Sequence, residues 1–158
     1  MSGPDPVAVR DTFTSVAPRY DLANHLLSGG IDFLWRRKLV KQARQGAHNQ
    51  ILDLATGSGD VALALRCGLS AKVKITGVDF CEPMLERARC KRDQQNLEKE
   101  LNQFLLGDCL DLEFQDESFD LITIAFGLRN LADRKLGLSE MLRVLKPGGR
   151  LMVLEFSQ

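Results

Sequence analysis

The sequence predicts an α/β fold, a doubly wound and mostly parallel sheet, and three observations lead to it. Short apolar or β-branched runs alternate along the chain with segments of helical periodicity. A glycine-rich turn at Thr56–Asp60 separates the first of these runs from the helix after it. Acidic residues stand at the ends of the first three runs, as Asp53, Asp79 and Asp108. Strands that alternate with helices favour parallel pairing through right-handed crossovers.

The elements divide the 158 residues into two parts. Apolar stripes of helical spacing within Val9–Ala17 and Phe33–Ala43 indicate an N-terminal helical extension over residues 1–46. Residues 47–158 form the α/β domain, and Lys146–Gly149 is predicted to end its last helix and turn the chain. The predicted strands of this domain are Ile51–Leu54, Val73–Val78, Phe104–Leu106, Phe119–Phe126 and Arg150–Phe156, and its helices are Val61–Cys67, Pro83–Asp93 and Arg134–Leu145.

Composition excludes several classes of protein. Twenty-one basic and 21 acidic residues give a net charge of zero, so no basic excess indicates a nucleic-acid partner. No run approaches the roughly 18 apolar residues that a membrane-spanning helix needs, and the N-terminus lacks the layout of a secretory signal. We therefore expect an intracellular protein. The four cysteines have no CxxC spacing and no neighbouring histidine, so no metal site is predicted.

The glycine-rich turn indicates a nucleotide-type ligand. Gly57 and Gly59 follow a buried strand and open a helix, where glycine lets the backbone turn sharply and lets a ligand approach. Asp79 lies 20 residues beyond Gly59, at the end of the second strand, where an acid accepts hydrogen bonds from ribose hydroxyls. The turn alone is a weak signal because dinucleotide-binding proteins share it.

The acids distinguish between the possible ligands. A dinucleotide brings a pyrophosphate to this turn, which Asp53 would repel. S-adenosylmethionine carries an ammonium and a sulfonium, which Asp53, supplemented more weakly by Asp60, would attract. Asp108 and Cys109, after the third strand, are placed to hold an adenine ring. The alternative is that Asp53 and Asp79 cap helices and that Asp108 belongs to a turn.

Three blocks of the sequence resemble the ubiquinone/menaquinone biosynthesis C-methyltransferases, a family of class I methyltransferases. These blocks are Tyr20–Ser28 with Trp35, Phe126–Asn130, and Arg143–Leu151 continuing to Ser157. The resemblance implies S-adenosyl-L-methionine as cofactor and a prenylated quinol, of the benzoquinol or naphthoquinol type, as substrate. It implies cofactor contacts at Ser58, Asp79, Asp108, Cys109 and Ala125, with Asp53, Gly57 and Gly59 in the same site.

The chain departs from the family pattern in two respects. Asp32 stands where the family usually has a histidine, and Ala23 where it has a bulkier residue. The family fold also continues past the fifth strand with a further helix and an antiparallel strand pair, so we expect a chain whose last strands are missing. Such a chain exposes an edge strand, which a homodimer or a biosynthetic complex would cover.

The resemblance suggests how the acceptor is handled. Arg129 would stabilise the phenolate of the quinol, and Asn130 would orient the ring hydroxyl or a water. Alternatively, Arg129 and Asn130 cap the helix that begins near Asp133. The basic stretch Trp35–Lys41 would rest on an anionic bilayer, peripheral to the inner membrane, unless it is an ordinary solvated helix face.

Two other functions remain open. A truncated chain of this family would bind S-adenosylmethionine or a partner subunit without turnover, as an inactive or regulatory form. A nicotinamide-dependent oxidoreductase uses a similar sheet, although Asp53 and the three sequence blocks oppose that function.

Overall fold

The structure, a computed structural model, describes the backbone of residues 31–155 and the side chains of residues 33–155. Four α-helices, five strands and one short 3₁₀ turn follow one another in this part of the chain. In order they are α1 Ile31–Ala43, β1 Gln50–Leu54, α2 Asp60–Gly68, β2 Lys74–Asp79, α3 Glu82–Gln94, β3 Asn102–Leu106, β4 Phe119–Ala125, the 3₁₀ turn Leu128–Asn130, α4 Arg134–Val144 and β5 Leu145–Leu154.

The five strands form one parallel sheet in the order β3-β2-β1-β4-β5. From the central β1 the chain first builds outward through β2 and β3, then returns to the other side of β1 and builds β4 and β5. The order therefore reverses between β1 and β4, and at such a point the carboxyl ends of the strands leave a crevice. The predicted doubly wound α/β fold is confirmed.

The two faces of the sheet have separate apolar cores. Alternate residues of a strand point to opposite faces, so Ile51 packs on one face of β1 while Leu52 and Leu54 pack on the other. Helices α1, α2 and α3 cover the face of Ile51, whereas α4 covers the second face with Met141 and Val144. The central strands β1, β2 and β4 are buried between these helices, as expected for a parallel sheet, whereas the edge strands β3 and β5 are partly exposed.

The last strand differs from its predicted extent. It begins at Leu145, directly after α4, whereas the sequence analysis started it at Arg150. Phe119 pairs with Leu145 but Leu121 pairs with Arg150, so β5 has extra residues over this step and forms a bulge. Gly148, in the bulge, has a φ of +77°. The predicted turn at Lys146–Gly149 is therefore an irregularity inside β5, where Pro147 and Gly148 interrupt regular pairing.

Helix α1 contributes to the same core as the sheet. Leu39 and Ala43 are buried in it, and the Nε of Arg44 donates to the carbonyl of Gly68 at 2.7 Å. The predicted boundary between residues 46 and 47 stays a prediction, and the stripe at residues 9–17 lies outside the described residues. Within residues 31–155, every helix is too short or too polar to cross a bilayer.

Candidate active site

The turn between β1 and α2 has an unusual backbone. Ala55, Gly57 and Gly59 have φ values of +50°, +55° and +79°. A Cβ on Gly59 would lie 2.8 Å from the Cβ of Ala88 and 2.9 Å from the ring of Phe104. Gly59 therefore needs glycine both for its backbone conformation and for the closeness of α3 and β3. The turn therefore packs closely against α3 and β3, which restricts its backbone conformation.

Asp53 lies beneath this turn, 1% exposed, inside β1. Its two oxygens each accept a hydrogen bond of 2.6 Å, from the hydroxyls of Thr56 in the turn and Thr123 in β4. Burial raises the pKa of Asp53 to about 6, and the hydroxyl bonds oppose that shift. Gly59, not Asp53, is the N-cap residue of α2, although the Asp53 carboxylate also accepts a backbone hydrogen bond from Ala62 in the first turn of that helix. Asp53 ties β1, the turn and β4 together.

Asp79 joins the ends of β1 and β2. Its Oδ2 accepts the N–H of Gly57 at 2.8 Å and its Oδ1 accepts the N–H of Cys81 at 2.9 Å. Asp79 is also buried, and burial raises its pKa. It does not occupy the N-cap of α3, which is Cys81. Each carboxylate oxygen has a second lone pair, so Asp79 retains acceptor capacity for a ligand.

Ala55 lies close to the segments that follow β3 and β4. Its backbone N–H donates to the buried thiol of Cys109, and burial raises the pKa of that thiol to about 12. On its other side, a Cβ on Gly127 would lie 2.4 Å from the Cβ of Ala55. Cys109 is therefore an uncharged, apolar wall. Asp108 is exposed and its Oδ1 accepts the N–H of Leu110, as expected of a turn residue.

Ser58 and Asp60 face a different cluster. The Ser58 hydroxyl accepts from the Nζ of Lys91 at 3.0 Å, and that Nζ also lies 2.8 Å from Asp60. Arg36 of α1 reaches the other Asp60 oxygen at 3.2 Å. Two cations therefore already neutralise Asp60. It does not join Asp53 and Asp79, and the supplementary attraction we expected from Asp60 is wrong.

The segment after β4 carries the residues predicted to act on the acceptor. Ala125 ends β4, and Phe126 adopts a φ of +57°. Arg129 and Asn130 lie in the 3₁₀ turn, where the side-chain amide of Asn130 donates to the carbonyl of Phe126 at 3.3 Å. The Arg129 guanidinium lies 3.0 Å from Glu155.

The capping interpretation of Arg129 and Asn130 is wrong. The Oδ1 of Asp133 accepts the N–H groups of Lys135 and Leu136 at 2.9 and 3.0 Å, so Asp133 itself caps α4. The Arg129 side chain is directed to Glu155, directly after β5, and the Asn130 side chain to the carbonyl of Phe126, directly after β4.

Comparison with known proteins identifies the family. The profile of the ubiE/COQ5 methyltransferase family matches residues 2–158. The chain belongs to this family.

Individual relatives agree with the family match. The chain is 48% identical over 149 residues to the ubiquinone/menaquinone biosynthesis C-methyltransferase UbiE of Geotalea daltonii, covering 94% of the chain and 63% of that protein. It is 51% identical over 144 residues to the demethylmenaquinone methyltransferase of Thermus thermophilus, covering 91% of the chain and 64% of the relative. The chain thus spans less than two thirds of these relatives.

Solved structures share the fold. The YcgJ protein of Bacillus subtilis superposes with a TM-score of 0.68 at 30% identity, over 75% of this chain and 48% of the other. A SAM-dependent methyltransferase of Aquifex aeolicus gives 0.62 at 26% identity, over 71% and 58%. A Methanococcus maripaludis protein gives 0.75 at 23% identity, over 87% and 61%, which shows the fold alone.

The structure brings most of the predicted ubiE/COQ5-type site residues to one edge of the sheet. Asp53, Gly57 and Asp79 are in one hydrogen-bonded unit, and Cys109 touches it through Ala55. The block Tyr20–Ser28 and the end of the last block lie outside the described residues. For Asp32, the structure gives the helical backbone only.

Three residues of this site were missed by the sequence analysis. Thr56 and Thr123 hold Asp53, and Glu155 holds Arg129. Thr123 is 70 positions from Asp53, so only the pairing of β1 with β4 brings them together. Glu155 lies in the third of the family-like sequence blocks, where no role was assigned to it. Its position directly after the last strand, at the carboxyl edge of the sheet, was the signal that could have identified it.

Proposed function

We propose that the chain binds S-adenosyl-L-methionine and methylates a ring carbon of a prenylated quinol in quinone biosynthesis. The observation that carries this proposal is the pair of buried carboxylates, Asp53 and Asp79, on either side of the Gly57 turn. Their negative charge suits a cationic ligand and repels a pyrophosphate. Family membership supports the same choice, since the two relatives named above are quinone-pathway methyltransferases.

The residues of the turn fit such a cofactor. When bound, S-adenosyl-L-methionine supplies an electrophilic methyl group on its sulfonium. Asp53, which is largely ionised above its raised pKa of about 6, places a negative charge under the turn. Asp79 offers its remaining lone pairs to ribose hydroxyls, and Cys109 and Ala125 supply apolar surface beside them. Gly57, Ser58 and Gly59 contribute main chain at the turn, because the Ser58 hydroxyl is already held by Lys91.

The residues after β4 fit the acceptor. A quinol carbon is most nucleophilic when the neighbouring hydroxyl has lost its proton, and a fixed cation stabilises the resulting phenolate. Arg129 supplies that cation through its guanidinium group. Asn130 retains its side-chain oxygen as an acceptor, because its amide nitrogen is the group that bonds Phe126. That oxygen can orient a ring hydroxyl or a water.

Calorimetry of the purified chain tests the cofactor half. We expect micromolar affinity for S-adenosylmethionine and for S-adenosylhomocysteine, and no binding of NADH. A methyl-transfer assay on demethylated benzoquinols and naphthoquinols then tests the acceptor half. NADH binding in place of the two sulfur compounds would contradict the proposal and indicate an oxidoreductase.

A second function has one observation in its favour. The Arg129 guanidinium already has a carboxylate partner at 3.0 Å, so its charge is partly neutralised before any substrate arrives. Under this alternative the chain binds the cofactor, or a partner subunit, without turnover. Cofactor binding with no methyl transfer to either quinol class would favour it.

We propose that the exposed face of α1 makes the contact with the membrane. Phe33 and Leu34 are 54% and 60% exposed, and Arg37, Lys38 and Lys41 are exposed on the same helix. Exposed apolar and basic side chains on one helix suit the surface of an anionic bilayer, from which a prenylated substrate comes. Vesicle co-sedimentation tests this contact, and absence of binding even at low salt would refute it.

We propose that a second copy or a biosynthetic partner pairs with the outer edge of β5. Among the described residues this strand pairs only with β4, so its outer edge offers unpaired backbone groups. Light scattering on the same sample gives the oligomeric state. A monomer at every concentration would refute the homodimer.

A further inference from the structure

Glu155 holds Arg129 at two points. Its Oε2 lies 3.0 Å from the Arg129 Nη1, and its Oε1 accepts the backbone N–H of Arg129 at 3.3 Å. The first N–H groups of a helical turn have no partner inside the turn, so this backbone bond supplies one. A single carboxylate thus fixes both the main chain and the side chain of one residue. Such double contact restricts position more than a simple ion pair does.

Neighbouring contacts restrict the same group from other sides. The guanidinium carbon of Arg129 lies 5.7 Å from the centroid of the Phe126 ring, and that ring lies 5.6 Å from the ring of Trp35. The backbone of Phe126 donates to the carbonyl of Leu154 at 2.8 Å, one residue before Glu155. Arg129 lies in the 3₁₀ turn that follows β4 and Glu155 directly follows β5, so both residues are attached to two hydrogen-bonded strands, which are rigid supports.

We propose that Glu155 is a positioning residue, which fixes the Arg129 guanidinium at the carboxyl edge of β4 and β5 in the orientation that methyl transfer requires. This inference rests on the proposed function, in which Arg129 stabilises the phenolate of the acceptor. Glu155 acts through Arg129 and needs no contact with the substrate.

The direction in which the rate changes when Glu155 is replaced distinguishes positioning from two other roles of this residue. If Glu155 only neutralised Arg129, removing its charge would leave a stronger cation and raise the rate. If Glu155 only satisfied the Arg129 N–H, glutamine would replace it, because the amide oxygen accepts the same bond. Positioning alone predicts that glutamine lowers the rate while the turn stays folded.

Steady-state kinetics with E155Q and E155D tests the proposal. We expect E155Q to lower kcat by about 10- to 100-fold, since small misplacements of a stabilising group have effects of that size. The KM for the quinol and the Kd for S-adenosylmethionine should stay within about threefold, because a displaced guanidinium chiefly affects the transition state. E155D should recover part of the loss, since it restores the charge. A kcat of E155Q at or above the wild-type value would overturn the proposal.

The matched control is D116N. Asp116 forms an ion pair on the protein surface, 2.8 Å from Arg143, on a segment that precedes β4 at the opposite end of the sheet. We expect D116N to have wild-type kcat and KM. A loss of kcat in D116N equal to that in E155Q would overturn the proposal, because any surface ion pair would then have the same effect.

NMR of the Arg129 guanidinium, which needs no turnover, distinguishes a failure of the positioning role from a failure of the proposed function. In a sample with ¹⁵N-labelled arginine, the guanidinium signals of Arg129 are assigned by their loss in R129K. We expect restricted rotation of this group in the wild type and free rotation in E155Q, with D116N unchanged. Identical Arg129 signals in the wild type and E155Q would overturn the positioning role. A wild-type chain with restricted Arg129 but no methyl transfer would count against the proposed function instead.

Discussion

The ends of β1 and β2 carry buried carboxylates, whereas the ends of β4 and β5 carry an exposed ion pair. Asp53 and Asp79 are 1% and 6% exposed, and their carboxylates accept hydrogen bonds from nearby hydroxyl and backbone N–H groups. Arg129 and Glu155 are 47% and 21% exposed at their side chains. Both pairs lie at the same edge of one sheet.

The candidate site thus has two halves. The first half is Asp53 and Asp79 with the turn at Gly57, and the second half is Arg129 and Glu155. Burying a carboxylate is costly unless it is hydrogen-bonded, so the first half is stable only in the one arrangement that satisfies Asp53 and Asp79. Under the proposed function, this arrangement is formed before the cationic ligand binds. The second half is open to solvent, where an acceptor can enter, and its charges are screened there. Under the proposed function, Arg129 therefore acts through its orientation more than through the strength of its electric field.

The largest expected effect is on the stability of the first half. G59A adds a methyl group at a φ of +79°, 2.8 Å from Ala88 and 2.9 Å from Phe104. The backbone conformation alone costs about 1–2 kcal/mol, and the overpacking adds about 1–3 kcal/mol. We expect the free energy of unfolding to fall by about 2–5 kcal/mol in urea titrations, with loss of cofactor binding.

G148A is the matched control for that variant. Gly148 has nearly the same φ, +77°, but a Cβ there would have no heavy atom within 4 Å. It should lower the free energy of unfolding by only about 1–2 kcal/mol, the conformational part. Equal losses in G59A and G148A would show that the first half is not tightly packed, and the contrast between the two halves would fail.

The next largest expected effect is on kcat, when Arg129 in the second half of the site is replaced. Removing one preorganised charge from a transition state typically lowers kcat by about 10²- to 10³-fold, so we expect R129A to lose turnover to that extent. Its affinity for S-adenosylmethionine should stay within about twofold, because the first half is built without Arg129. Calorimetry and a methyl-transfer assay measure the two quantities. Loss of cofactor binding in R129A would mean that the halves are one unit.

The third prediction is a pH dependence of cofactor affinity. Burial raises the pKa of Asp53 to about 6, so the carboxyl is mostly neutral at pH 5 and mostly ionised at pH 7. Affinity for S-adenosylmethionine, with its cationic sulfonium and ammonium, should therefore rise about fivefold from pH 5 to pH 7 if binding lowers the pKa of Asp53 by about one unit. S-adenosylhomocysteine, which lacks the sulfonium charge, should show a smaller rise. Titration calorimetry at several pH values measures both, and D53N should flatten the two curves.

The stability of the ligand-free chain should change in the opposite direction. An acid whose pKa is raised on folding contributes stability that is fully present below its ordinary pKa of 3.8 and is lost as the pH rises through about 6. Urea titrations of the wild type and D53N across pH 4–7 isolate this contribution. A wild-type stability that rises relative to D53N over this range would contradict a raised pKa for Asp53.

The sequence predicted the first half of the site better than the second. The succession of strands and helices, the glycine turn and the acids at strand ends follow from local patterns, because each is encoded within a few neighbouring residues. The hydroxyl partners of Asp53 and the partner of Arg129 follow from pairing between distant strands, which no local pattern contains. Asp60 was misjudged for the same reason, since Arg36 and Lys91 come from other helices.

The smallest expected effect is on stability in the second half. E155Q removes an ion pair between partly exposed side chains, and such pairs contribute about 0.2–1 kcal/mol. Glutamine retains the acceptor for the Arg129 N–H, so we expect the free energy of unfolding in urea to fall by less than about 1 kcal/mol. A variant that affects kcat strongly and stability weakly is what an orienting contact on a rigid scaffold requires. A loss as large as that of G59A would instead make Glu155 part of the folded framework, because the ion pair would then stabilise the β4–β5 end in the way that Asp53 ties β1 to β4.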